Sequence, residues 1–139
     1  MSGRIESQLV MGLINLQTKI QKRINGALSV HGISASEYMV LLQLQLAPEH
    51  KLRRVDLAER VGLSASGVTR MLNPMQKIGL VKKEANARDA RVSLVALTDA
   101  GQQIFKDAET SFYHASEALL TPLSGREKNQ LADLLKTLL

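Results

Sequence analysis

Cysteine is absent from this chain of 139 residues, so it forms no disulfide, carries no thiol redox switch and builds no zinc-finger site. Histidine is scarce and scattered. Of His31, His50 and His114, only His114 has a partner at helical ligand spacing, Glu117, and a lone pair of that kind is usually solvated surface. No metal site is expected. Also missing are a run of about 18 apolar residues, which a membrane span requires, and a charged-then-apolar leader, since Arg4 and Glu6 come early. The expectation is a cytoplasmic chain with no membrane partner. The glycines form no Gly-x-Ser-x-Gly elbow, phosphate loop or dinucleotide-binding pattern. The chain is read as a non-enzyme, with no catalytic residue and no cofactor.

What the chain does have is helical periodicity, with 45% hydrophobic residues to fill one modest domain or two fused small modules. Ile5, Leu9, Leu13, Leu16, Ile20, Ile24 and Leu28 step by three or four, which predicts a long helix to about His31, stopped at Gly32. Val10, Met11 and Ile14 broaden its apolar stripe near the start. Ser34 and Glu37 make a capping box for a second helix bearing Tyr38, Val40, Leu41, Leu42 and Leu44, which ends before Pro48. Leu80 to Glu84 and Arg91 to Leu97 read as two strands around a polar loop. Thr98 caps a helix from Asp99 to about Leu120, whose apolar side holds Ile104, Phe105, Ala108, Phe112, Ala115 and Leu119. Ser124 and Glu127 repeat the capping box before a last helix bearing Leu131, Leu134, Leu135, Leu138 and Leu139.

Between Arg54 and Asn73 the pattern changes to two short helices joined at Gly62, the signature of a helix-turn-helix. Leu57, Ala58 and Val61 form the inner face of the first helix, and Ala58 is small where Val68 of the second must cross it closely. Gly62 supplies the positive φ of a tight turn, Leu63 fills the corner, and Ser64 caps the helix that begins at Ala65. Val68, Met71, Leu72, Met75 and Ile78 make the buried stripe of that helix, leaving Ser66, Gly67, Thr69, Arg70 and Asn73 on the exposed side. A helical hairpin inside a core would explain the apolar positions but not these short polar and cationic ones. Gly67 costs roughly 1 kcal/mol against alanine, and either it permits close approach to a DNA backbone or it is simply tolerated. Pro74 removes one helical hydrogen bond and restricts Asn73, so a kink is expected there and no contacts beyond it.

Charge follows the same segment. From Lys51 to Arg91 there are ten basic and four acidic residues, a net +6, while the whole chain is +5 and the remainder is therefore −1. A lysine-rich solvated surface would spread this excess, whereas a polyanionic partner explains its concentration.

The order helix, helix, helix-turn-helix, strand pair, two helices resembles the MarR family of winged helix-turn-helix transcriptional regulators over nearly the whole chain, from about residue 5 onward. The most specific match is Arg88-Asp89-Ala90-Arg91 leading into Leu97-Thr98-Asp99-Ala100-Gly101, similar to the family's Asp-x-Arg element followed by Leu-Thr-x-x-Gly. Val68-Thr69-Arg70 through Gly79-Leu80-Val81 also resembles its recognition helix and exit strand.

The resemblance implies a mainly α fold with a small β-wing (α+β). Residues 1–33 are an N-terminal dimerisation helix, 34–98 the winged lobe (helix-turn-helix 54–79, wing 80–97) and 99–139 the C-terminal dimerisation helices. It further implies a repressor that binds a palindromic operator in double-stranded DNA as a homodimer. By that resemblance Arg91 enters the minor groove and Asp89 holds it, while Arg88 contacts phosphate. Ser64, Ser66, Thr69, Arg70 and Asn73 are the remaining DNA-binding candidates; arginine suits guanine and a threonine methyl suits thymine. The alternative for Asp89 and Arg91, a local surface ion pair worth little for stability, fits their position at the wing less well. Family members often answer to small aromatic or phenolic effectors in a cleft between the dimer helices and the DNA-binding lobe. Here that region would draw on Leu16, Ile20, His31, Tyr38 and Phe112, each of which also has a core reading. The competing readings are a winged-helix protein-interaction module without DNA binding, and a regulator without an effector.

Overall fold

The computed structural model describes residues 2–139, and its elements begin and end at caps and breakers that the chain supplies in order. Helix α1 (Ser2–Leu28) tightens into a 3-10 turn over Ser29–His31, and Gly32 stops it at φ 75°. The predicted end therefore stands, with a changed hydrogen-bond pattern in the last turn. Helix α2 (Ala35–Leu46) opens on a complete capping box: Glu37 N–H donates to Ser34 Oγ at 3.1 Å, and Ser34 N–H donates to Glu37 Oε1 at 2.9 Å.

After α2 comes a 3-10 turn at Pro48–His50 in which Glu49 and His50 both have φ 58°. These left-handed residues lead the chain into strand β1 (Lys51–Arg53), which the sequence pattern does not reveal. Lys51-Leu52-Arg53 alternates, but three residues are too short a run to read as a strand. Strands β2 (Val81–Ala85) and β3 (Ser93–Leu97) form the expected hairpin, and β1 adds to it in the antiparallel order β1-β3-β2. Val95 is paired with Leu52 on one side and Lys83 on the other.

Both strand starts fall later than expected. Arg91 belongs to the loop rather than to β3, because Val92 N–H closes a turn on the Asp89 carbonyl at 3.1 Å. Leu80 precedes β2, because its N–H is taken by the Met75 carbonyl at 2.9 Å in the glycine-capped exit of the helix before it.

Helices α3 (Arg54–Val61) and α4 (Ala65–Lys77) are the helix-turn-helix. Helix α4 continues through Pro74 to Lys77, and the Pro74 carbonyl accepts from Ile78 N–H at 3.1 Å. Ile78 departs from the expected stripe, being 62% exposed rather than buried. Helical geometry ends at Lys77, and Gly79 at φ 80° redirects the chain so that Leu80 fills the core instead.

Helix α5 (Asp99–Leu120) packs on α1 and α2 and closes the core, in which Leu28, Leu41, Leu44, Leu57, Val68, Leu72 and Met75 are fully buried. Each such side chain contributes about 2 kcal/mol through removal of apolar area from water. Tyr38 is stacked on Phe105 and Phe112, at ring centroid distances of 5.2 and 4.7 Å. Helix α6 (Gly125–Leu138) repeats the capping box at Ser124 and Glu127 but buries none of its residues. The first half of α1 is similar, with Ile5, Leu9, Leu13 and Leu16 all exposed.

Candidate nucleic-acid interface

The two helices of the motif are set by a short chain of backbone bonds. Gly62 at φ 71° caps α3, its N–H meeting the Glu59 carbonyl at 3.2 Å, and Leu63 N–H reaches the Ala58 carbonyl at 2.9 Å. Ser64 Oγ then accepts from Gly67 N–H at 3.1 Å and starts α4. Ala58 and Val68 are both buried at the crossing, as their sizes require. Among the exposed candidates, Ser66 Oγ lies 3.2 Å from Ser64 Oγ, while Arg70 and Asn73 face solvent. Gly67 also has a setting internal to the fold: an added Cβ would stand tight against the capping Ser64 Oγ at 3.2 Å, with Leu63 Cβ at an ordinary 3.6 Å.

Thr69 is half-buried, and its hydroxyl accepts a 2.7 Å hydrogen bond from Arg54 Nη1 at the start of α3. Sequence reasoning counted Arg54 only as a charge. A signal was there: an arginine at the first position of a helix faces the positive end of the helix dipole, where a cation is disfavoured.

In the wing loop, Asp89 grips Arg91 at three points: its Oδ1 accepts from Arg91 N–H at 3.0 Å and from Nε at 3.1 Å, and its Oδ2 accepts from Nη2 at 3.3 Å. The Arg91 side chain nevertheless remains 91% exposed. These bonds, first the side-chain one and then the backbone one, hold the Asp89 carboxyl below the usual aspartate range. Arg88 is anchored through its backbone alone, with its N–H donating to Asn86 Oδ1 at 2.9 Å.

Ion pairing sorts the basic segment into two groups. Lys51 pairs with Glu84 at 3.0 Å, Lys82 with Glu84 at 3.6 Å, and Arg53 with Asp56 at 2.9 Å, so the sheet root and the side of α3 are locally neutralised. The Lys51 ammonium accordingly keeps the Glu84 carboxyl below the ordinary glutamate range. Arg54, Arg60, Arg70, Lys77, Lys83 and Arg88 have no ion pair among the described residues. Their field is uncompensated and suits a polyanion.

The five residues expected at an effector cleft are brought together only in part. Ile20 and Phe112 line a cleft of about 370 Å³, with Gln17, Gln21, Ala35, Met39, Leu63 and Met71 among its other walls. Leu16 joins both of them in a smaller hollow, while Tyr38, stacked between two phenylalanines, lines another cavity with Phe112. His31 is engaged elsewhere, its Nε2 lying 2.8 Å from Ser111 Oγ. No group of three potential metal ligands occurs among the described residues, and no described helix is long and apolar enough to cross a membrane.

Comparison with known proteins agrees with this geometry. A sequence model of the MarR family matches residues 31–92. The chain is 25% identical to the transcriptional repressor MprA of Escherichia coli K12, over 91% of this chain and 72% of that protein. It is 30% identical to YdgJ, an uncharacterised helix-turn-helix-type transcriptional regulator of Bacillus subtilis, over 75% of this chain and 62% of that protein. Among solved structures, a mutant of MarR from E. coli, crystallised with operator DNA, superposes with a TM-score of 0.88 at 26% identity, covering 95% of this chain and 94% of that one.

Proposed function

Since this chain belongs to the MarR family of transcriptional regulators, we propose that it is a repressor that binds palindromic double-stranded DNA as a homodimer in the cytoplasm. In this reading α4 lies in the major groove, offering Ser64, Ser66, Thr69, Arg70 and Asn73, and the wing places Arg91 in the minor groove. The observation that carries it is the grip of Asp89 on Arg91. Two hydrogen bonds fix the guanidinium's orientation and a third, from the Arg91 backbone N–H, ties the loop to the same carboxylate, while the exposed Nη groups keep donors for a second partner. An ion pair serving only stability would gain little at such an exposed site.

Dimerisation would use residues 1–33 and 99–139, leaving 34–98 as the DNA-binding lobe. Leu9 at 60%, Leu134 at 62% and Leu138 at 73% exposure give apolar faces that a partner copy would cover. Light scattering at micromolar concentration should show a dimer, and a monomer there contradicts this part of the reading.

Release from DNA by a small aromatic effector is supported by the 370 Å³ cleft, whose walls belong to α1, to the helix-turn-helix through Leu63 and Met71, and to α5 through Phe112. A molecule filling it touches the recognition helix and the N-terminal helix together, so its affinity depends on their spacing. The decisive experiment for the whole reading is an electrophoretic shift titration with genomic fragments. Binding should weaken with salt by about 0.9 log unit per log of salt for each phosphate neutralised, and a chain that retains no fragment at low salt is not a DNA-binding regulator.

A further inference from the structure

We infer that Arg54, outside the recognition helix, is a DNA-contacting and specificity-setting residue that acts with Thr69; this rests on the DNA-binding reading above. Two adjacent arginines begin α3, and the structure treats them differently. Arg53 is neutralised by Asp56 through two hydrogen bonds of 2.9 and 3.1 Å. Arg54 has no carboxylate partner among the described residues and donates instead to a neutral hydroxyl, Thr69 Oγ1, at 2.7 Å. It does so from the first residue of α3, where the unpaired N–H groups of the helix already create positive potential. A cation in that place opposes its own helix. An anion bound there gains from both the guanidinium and the helix end.

The contact also acts on Thr69. The hydroxyl accepts from Arg54, so its own proton is free to donate in another direction, and the position of its methyl group is set by the same bond. A threonine rotor that would otherwise choose among staggered positions is held in one. Arg54 therefore does two things on DNA. Its remaining donors hold a backbone phosphate, and its bond to Thr69 fixes which edge of that side chain meets the base pair.

The probe is the duplex that the wild-type protein enriches from a randomised double-stranded DNA pool. Arg54→Met should weaken binding to that duplex about tenfold or more and lower the salt slope by about 0.9, the share of one phosphate. Enrichment repeated with Arg54→Met should lose base preference at one position in each half-site, the same position at which Thr69→Val loses it. Arg54→Lys should restore most of the salt slope. Melting temperature separates this from a structural role, since removing a cation from the positive end of α3 should leave the fold as stable or more so. Unchanged affinity and slope in Arg54→Met, or a loss that tracks a fall in melting temperature, overturns the assignment while leaving the family reading intact. A wild-type chain that enriches no duplex overturns both.

Discussion

Gly101 lies against the Leu80 carbonyl so closely that a β-carbon built on it would stand 2.1 Å from that oxygen and 2.7 Å from Leu97 Cδ1. The same carbonyl accepts from Thr98 N–H at 3.2 Å, and Thr98 Oγ1 in turn accepts from Gly101 N–H at 3.0 Å. One cap and one glycine thus seat α5 on the root of the wing.

Gly101→Ala should therefore destabilise the fold although alanine is the better helix former. The helix propensity gain is about 1 kcal/mol, whereas a backbone clash of this depth forces α5 off the sheet at a cost of roughly 2 to 4 kcal/mol. Chemical denaturation would measure it. Unchanged stability in the variant would mean that α5 is not docked as described.

Arg91→Ala should weaken DNA binding by about 1 to 3 kcal/mol per half-site while leaving the melting temperature unchanged, because the side chain is 91% exposed and supports no packing. Titration against the enriched duplex reads the first quantity and thermal denaturation the second. An affinity equal to that of wild type removes the wing from recognition.

The Asp89 carboxyl is held below its ordinary range by Arg91, which gives the wing a defined pH response. A carboxylate with a depressed folded pKa favours the ordered wing fully above its unfolded pKa, about 4, and loses that contribution as pH falls through the folded value. The Arg91 grip should thus be constant through neutral pH and open only in acid. Carbon-detected NMR titration of Asp89 should give a lower midpoint in wild type than in Arg91→Ala; equal midpoints would contradict the contact.

The 370 Å³ cleft is lined by apolar side chains with Gln17, Gln21 and Ser36 as polar groups, and no cation is among its walls. Burying a carboxylate there without a counter-charge is unfavourable. An uncharged aromatic amide should raise the melting temperature more than the corresponding aromatic acid, and Gln17→Leu with Gln21→Leu should reduce that difference. Preference for the acid would place the effector site elsewhere.

Much of the local structure was legible because its causes are local. Ser34 with Glu37, Ser124 with Glu127, and Thr98 each cap the helix that follows them, and Gly32, Gly62 and Gly79 take the positive φ that ends a helix. The strand β1 was not legible, because its pairing with β3 is decided by partners more than forty residues away in sequence. Ile78 was misread because periodicity alone does not reveal where a helix stops contributing to the core.

The interface divides in the same way. The placement of Ser66 and Arg70 on the exposed side of one helix, and of Asp89 and Arg91 within one short loop, was legible from motif spacing. The contact of Arg54 was not, since it is a side-chain bond across 15 residues to Thr69. Likewise Leu16, Ile20, His31, Tyr38 and Phe112 share no single cleft, because α1, α2 and α5 pack so that Tyr38 is enclosed by two rings while Ile20 faces the opening. Caps, turns and apolar periods act over a few residues and are written in the chain itself. Which groups meet across helices is decided only when the core packs, because that packing sets the distances over which hydrogen bonds and charges act.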